Sequence, residues 1–279
     1  MNNAKSTSKN RILVLGANGK TGGRIVQRLT TLGWPVQSAA RSTTPRFDWD
    51  DSTTWAPVLQ NIHSVYISFQ PDLAMPGAVK TVKQFAAAAV KSGVKKMVLL
   101  SGRGEEEAQE CEKVIKEAID DWTIIRASWF SQNFSEGNFL KPVLAGHVAL
   151  PVGNVKEPFI DTDDIADVAV AALTEEGHSG QLYEVTGPRL LSFKEAVEEI
   201  GKATGKEIRY EQISSKEYAV MLKEYGLPDD LISLITYLFC EVLDGRNTSV
   251  TDGVQRALGR KPTDFSEYVK KSAATGVWG

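Results

Sequence analysis

Apolar residues in this chain alternate between short continuous runs and stripes of helical period. Arg11-Ile-Leu-Val-Leu15 is such a run and ends in a glycine-rich turn; Gly22, Ile25, Val26, Leu29 and Leu32 then recur at helical spacing until Gly33. The pattern predicts strand, turn and helix, with the last glycine as the stop. Further runs predict strands over Val36 to Ala40, Ser64 to Phe69, Met97 to Leu100 and Trp122 to Ile125. Val79, Val82, Phe85, Ala86, Ala89 and Val90 mark one helical stripe closed by Gly93, and Glu105 to Ile119 reads as a charged helix.

Strands that are apolar on both faces and alternate with helices pair in parallel, because each crossover returns the chain to the same end of the sheet. The predicted fold class is therefore α/β, with a doubly wound parallel sheet. Past residue 126 the pattern loosens. Asp163 or Asp164 is expected to cap a helix that buries Ile165, Val168, Ala169 and Ala172, and Gln181 to Val185 to add a strand. From Leu191 onward the chain reads as mainly helical, broken at Gly201, Gly205, Gly226 with Pro228, and Gly259 with Pro262.

The first turn reads Gly16-Ala-Asn-Gly19-Lys-Thr-Gly22, a GxxGxxG spacing between a strand and a helix. Gly16 permits the tight turn, Gly19 lets the main chain approach a pyrophosphate, and Gly22 lets the helix pack close to the sheet. Free N–H groups and the positive end of the helix dipole then face the anion. This points to dinucleotide binding on a Rossmann-type sheet. The embedded Gly19-Lys20-Thr21 does not make a triphosphate loop, since GxxxxGK[ST] requires glycine where Val14 stands. An NAD enzyme places an acid near the end of the second strand to hold the ribose 2′-hydroxyl. No acidic residue precedes Asp48, and the second strand ends in Ala40-Arg41-Ser42. A guanidinium beside a hydroxyl suits a 2′-phosphate, so NADP(H) is expected in preference to NAD(H). The expected organisation is a disordered tail over 1–10, an NAD(P)-binding Rossmann domain over 11–186, and a smaller, mainly helical C-terminal lobe over 187–279 that binds substrate with contributions from 130–160.

Composition narrows the class further. With 42% hydrophobic and 24% charged residues among 279, the chain is ordinary for a globular protein. The strongly apolar run Leu231 to Cys240 contains Ser233 and Thr236 and stops at Glu241. That is short of the ~20 apolar residues a spanning helix needs. No membrane partner is expected, and the polar start MNNAKSTSKN lacks the apolar core of a secretory signal. Two cysteines, Cys111 and Cys240, form neither a disulfide framework nor a CxxC metal site. A cytoplasmic location is expected. The net charge of −3 argues against a nucleic-acid partner. Its distribution is uneven: residues 1–47 hold eight Lys or Arg and no acid, whereas the remainder holds 24 basic against 35 acidic residues, a net of −11. The front of the chain is built for an anion, or else is a basic tail followed by a solvated helix face.

Several familiar catalytic arrangements are missing. None of the seven tyrosines is followed four residues later by lysine, so the usual Tyr–Lys proton donor for a carbonyl is absent from the sequence. His63, His147 and His178 are scattered without metal-ligand spacing, and there is no GxSxG elbow. Hydride transfer would then suit an acceptor that needs little help from a protein acid: a cationic iminium, or a quinone or other conjugated acceptor that takes its proton from water.

GANGKTGGR, the FDWDD segment at Phe47 to Asp51, LLSGRG, WTIIRASWFSQNFSE from Trp122 to Glu136, EPFIDTDDIADVA from Glu157 to Ala169 and the closing LGRKPTDF resemble the NmrA-like atypical short-chain dehydrogenases over essentially the whole chain. Within that family the likeness is greatest to the agroclavine and festuclavine dehydrogenases of ergot-alkaloid pathways. The resemblance implies NADPH-dependent reduction of a small molecule, a cyclic iminium in the alkaloid members, without the Tyr–Lys pair. It implies that Gly16, Asn18, Gly19, Lys20, Thr21 and Gly22 cradle the phosphates, that Arg41 holds the 2′-phosphate and that Asp48 lies near the adenine. Ser68, Phe69, Ser101, Trp129, Phe130 and Asn133 would line the nicotinamide, with Ser101 the candidate catalytic residue. Trp129 and Phe130 read equally as buried packing, and Ser101 as a strand-end hydroxyl bonded to main chain. The family also contains NAD(P)-binding redox sensors without turnover, and a protein partner enters only under that second reading. The acidic stretch Glu105 to Glu112, a departure from the family pattern, is expected to be a solvated helix start.

Overall fold

The computed structural model describes residues 9–279, so Met1 to Ser8 of the expected tail lie outside the described residues. Lys9, assigned to that tail, is instead anchored: its ammonium donates to the Leu32 carbonyl at 2.5 Å and lies 5.0 Å from the Trp34 ring centroid. The chain forms two compact units, and it leaves the first well before residue 186. The first runs to Ser101 and takes in Glu107–Ile125 and Ala166–Leu182; the second comprises Gly102–Glu106, Arg126–Ile165 and Tyr183–Gly279.

The opening half is the expected alternation. It runs β1 (Ile12–Leu15), α1 (Lys20–Thr31), β2 (Val36–Ala39), α2 (Trp55–Val58), β3 (Ser64–Ile67), α3 (Ala78–Lys91), β4 (Lys96–Gly102), α4 (Glu106–Ala118) and β5 (Trp122–Ala127). After α5 (Leu140–Leu144), β6 (His147–Leu150), β7 (Lys156–Glu157) and α6 (Thr162–Thr174), β8 (Gln181–Val185) completes a six-stranded sheet of order β2-β1-β3-β4-β5-β8. β1 pairs in parallel with β2 and β3, and β3 with β4. The order reverses at β1, leaving a topological switch point between β1 and β3 where the carboxyl ends of strands part.

The remainder is β9 (Leu191–Ser192), α7 (Phe193–Thr204), β10 (Arg209–Gln212), α8 (Ser215–Glu224), α9 (Asp229–Tyr237), a π-helical turn over Leu238–Val242, α10 (Gly253–Leu258) and α11 (Phe265–Ala274). Two small sheets join this helical part: β6 pairs in parallel with β10, and β7 antiparallel with β9.

Each unit has its own apolar core. In the first, Leu13, Leu15, Val65, Ile67, Met97 and Leu99 from the strands meet Val82, Phe85, Ala86 and Ala89 of α3. In the second, Phe134, Phe139, Phe159, Phe193, Phe239 and Phe265 pack ring to ring. The helical stripes end one residue early. Leu32 is 53% and Val90 41% exposed, because α1 stops at Thr31 and the last turn of α3 faces outward. The cap of α6 also differs from expectation: Asp161, not Asp163 or Asp164, precedes the helix and accepts from the Asp163 N–H at 2.8 Å. Asp164 is buried and receives Arg260 at 2.6 Å and the Thr263 N–H at 2.6 Å, which ties the LGRKPTDF segment to the DTDD element.

Candidate functional site

The carboxyl ends of β1, β2 and β3 open onto a cleft of about 800 Å³. It is lined by Gly16, Asn18 and Gly19 from the first turn, Ala40, Arg41 and Ser42 after β2, Phe47 to Asp50, and Gln70 with Pro71 after β3. The turn adopts the geometry its glycines allow. Gly16 has φ +67°, in the left-handed region that favours glycine. A Cβ at Gly22 would collide with the Gly16 carbonyl oxygen, so any larger residue there would push α1 off the turn.

The amino end of α1 is unusually bare. Its N-cap, Gly19, has no side chain to cap with, and the first turn carries no acid. The first intrahelical bond is made by the Gly23 N–H to the Gly19 carbonyl at 3.0 Å, so the N–H groups of Thr21 and Gly22 precede the helical ladder. Such orphan donors, with the positive end of the dipole, form a receptor for an anion. On the far side of the cleft, Asn18 Nδ2 donates to Ser42 Oγ at 2.9 Å, tying the turn to the end of β2. Arg41 is exposed beside this contact and has no hydrogen-bond or ion-pair partner among the described residues.

Asp48 lines the same cleft but is already engaged. Arg46 pairs with its Oδ2 at 2.5 Å, and the Asp50 N–H donates to Oδ1 at 3.3 Å. The FDW segment is held as a wall: Trp49 Nε1 donates to the Ser68 carbonyl at 3.2 Å, Trp55 Nε1 donates to the Asp48 carbonyl at 2.9 Å, and the Trp49 ring lies 4.9 Å from those of Phe47 and Phe69. Sequence reasoning named Asp48 alone here. Trp49 and Gln70 also line the cleft, and Gln70, 4.0 Å from where a Gly19 Cβ would stand, carried no signal beyond its place after β3.

The other expected residues fall in three groups. Lys20, Thr21 and Gly22 form the first turn of α1 beneath the cleft rather than its lining, and Ser68 and Phe69 follow β3 behind Trp49. Ser101 is 4% exposed and donates to Glu112 Oε1 at 2.7 Å, a side-chain partner and not the expected main-chain one. Glu112 is itself 1% exposed, so the acidic stretch is not simply a solvated helix start: Glu105 and Glu112 are buried within it. Trp129, Phe130 and Asn133 belong to the second unit. Trp129 packs on Phe193 and Phe239 at 5.4 and 5.0 Å, Phe130 bridges to Ile160, and the Asn133 N–H donates to the Phe130 carbonyl.

In the second unit two polar arrangements have the character of fold clamps. Gln132, buried, donates to Asp161 Oδ1 at 2.6 Å and accepts from the Thr162 N–H at 2.8 Å, joining the WFSQNFSE run to the DTDD element. Arg103 donates to Glu184 at 2.5 Å, to the carbonyls of Asn247 and Ser249 at 2.7 and 2.8 Å, and to Ser249 Oγ at 2.7 Å. Nearby Glu157, wholly buried, accepts from Ser128 Oγ at 3.2 Å and leaves Oε1 without a partner. Burial pushes its carboxyl up to about 7, against the smaller pull of the Ser128 hydrogen bond and of Arg103.

Among the described residues no helix is long and apolar enough to cross a membrane, and no three His, Cys, Asp or Glu gather as a metal site.

The chain is similar to known proteins. An uncharacterized oxidoreductase of Bacillus subtilis (strain 168), YesF, is 30% identical over 97% of this chain and 98% of its own. Agroclavine dehydrogenase of Claviceps fusiformis is 29% identical over 96% of this chain and 98% of its own. Among solved structures, the NADPH-dependent quinone oxidoreductase QOR2 of Escherichia coli, complexed with NADPH, superposes with a TM-score of 0.78 at 22% identity, covering 93% of this chain and 99% of its own; at that identity the likeness is one of fold. The model of the NmrA-like family matches residues 8–269, and the chain belongs to that family.

Proposed function

We propose that the protein is an NADPH-dependent reductase that delivers hydride to a small conjugated acceptor, an imine, an iminium or a quinone. One observation carries the coenzyme half of this reading: a helix start where the Thr21 and Gly22 N–H groups make no main-chain bond opens onto the same cleft as an arginine that has no partner among the described residues. The chain's groups fit a dinucleotide diphosphate, since the glycine turn leaves the room that a Cβ would fill. Gly16, Asn18, Gly19, Lys20, Thr21 and Gly22 would surround the diphosphate, and Arg41 with Ser42 would hold the 2′-phosphate. Asp48 does not compete for a ribose diol, because Arg46 and the Asp50 N–H already occupy its oxygens. NADP(H) is therefore favoured over NAD(H).

The bound coenzyme would supply the hydride. The protein's contribution is to fix the donor and to shelter it from water. Ser68 and Phe69, next along the chain from β3, would carry the nicotinamide side. Ser101 has no proton-transfer role in this account, because its hydroxyl is committed to Glu112. An acceptor that needs no protein acid matches the missing Tyr–Lys pair and is in keeping with the activities of two similar proteins, an agroclavine dehydrogenase and a quinone oxidoreductase. The test is NADPH absorbance followed with a panel of quinones and cyclic imines. Acceptor-dependent loss is expected; inertness toward the whole panel by protein shown to bind NADPH would overturn the reading in favour of a non-catalytic sensor.

A further inference from the structure

Tyr66 is a fully buried tyrosine in the middle of the sheet, on β3 opposite Val14 of β1. A buried phenol needs a partner for its O–H, because an unpaired polar group in an apolar interior is costly. Its partner is Thr21, the second residue of α1: the Tyr66 hydroxyl donates to Thr21 Oγ1 at 2.9 Å across 45 residues of sequence. Among the described residues neither hydroxyl has another partner. Burial pushes the phenol above its ordinary value, so Tyr66 keeps the proton it donates.

The consequence concerns Thr21. A threonine early in a helix commonly turns its O–H back to a carbonyl of the preceding turn. Here Thr21 Oγ1 is an acceptor for Tyr66, and its own proton is left without a protein acceptor. Thr21 is 4% exposed and sits within the first turn of α1, where its own N–H and that of Gly22 make no main-chain bond. We infer that Tyr66 is a positioning residue for the coenzyme: by donating to Thr21 Oγ1 it aims the Thr21 hydroxyl proton at the diphosphate held by the amino end of α1. This rests on the coenzyme reading given above. Tyr66 touches no phosphate itself and acts only through Thr21.

The test is calorimetric titration of NADPH into the wild-type protein, Tyr66→Phe, Thr21→Val, the double variant and Thr21→Ser, with thermal unfolding recorded for each. Phe keeps the ring and removes only the donor. The expected result is a loss of affinity of about 5-fold for Tyr66→Phe, the scale of one ordinary hydrogen bond, and a loss at least as large for Thr21→Val. In the Thr21→Val background, removing the Tyr66 hydroxyl should change affinity no further. Thr21→Ser, which keeps the hydroxyl, should bind within about 2-fold of wild type. Multiplying losses in the double variant would show that Tyr66 supports the fold generally, and would overturn the inference. Unchanged affinity in Tyr66→Phe or Thr21→Val would overturn it as well. Should Tyr66→Phe not fold, the contrast between Thr21→Val and Thr21→Ser decides, and equal binding by those two rejects the idea. If the wild type itself binds no NADPH, the coenzyme reading fails and takes this inference with it; if the wild type binds and the variants match it, only the inference fails.

Discussion

Arg41 and Arg103 are both arginines just beyond or at the carboxyl end of a strand of one sheet, and the fold treats them oppositely. Arg103 is 7% exposed and all three of its guanidinium nitrogens are committed, to Glu184, Asn247 and Ser249. Arg41 is exposed, borders a cleft and has no partner among the described residues. A guanidinium that the protein satisfies internally is part of the scaffold. One that it leaves unsatisfied beside uncommitted helix N–H groups is reserved for something the chain does not contain. The two acids Glu184, locked to Arg103 and Arg126, and Asp48, locked to Arg46, are alike instead: neither is available to a ligand, although Asp48 stands in the cleft wall.

The largest effect expected from this comparison is at Arg103. Replacing it with alanine leaves Glu184 only the 3.6 Å contact with Arg126 and frees the 244–249 segment, and should lower unfolding stability by about 3 kcal/mol or more in denaturant titrations, the scale of removing a buried, multiply bonded charge. NADPH affinity of the folded protein should change less than about 2-fold. A comparable loss of affinity would break the separation between scaffold arginine and ligand arginine.

Glu157 gives the next largest effect, through pH. Its carboxyl is held up at about 7 by burial, against an ordinary value of 4.5. As pH rises between these values the unfolded chain releases the proton while the folded one keeps it, so stability falls across that window and levels off above it. The full penalty is about 3 kcal/mol. Glu157→Gln, which cannot ionise, should lose this slope and gain on the wild type steadily from pH 4.5 to 7. Parallel stability curves for the two proteins would show that Glu157 is ionised in the fold.

Much of this was legible before any coordinates. The GANGKTGG turn declared itself because three glycines, a preceding apolar run and a following helical stripe agree with one another. Arg41 stood out because the end of β2 is where an NAD enzyme keeps its acid. What could not be read were contacts between residues far apart in the chain. Tyr66 and Thr21 are 45 positions apart, and Ser101 with Glu112 joins a strand end to a helix face, so neither pair has a periodic signature. Asp161, Asp163 and Asp164 are all good caps by type, and only the backbone path chooses Asp161. Leu32 and Val90 fit their helical stripes by spacing, but a spacing does not reveal where the helix runs past the surface it covers. Cleft residues such as Gln70 come from loops whose course depends on the finished sheet.

The smallest of the three effects is also the most direct trial of the central claim, that the bare helix start and Arg41 together receive a dinucleotide bearing a 2′-phosphate. The measurement is calorimetric titration of NADPH and of NADH into the wild-type protein and Arg41→Glu. The wild type should bind NADPH more tightly than NADH, and Arg41→Glu should weaken NADPH by about 30-fold, roughly 2 kcal/mol, while moving NADH by less than about 3-fold. Equal losses for both coenzymes, or no heat with either one in the wild type, would contradict it.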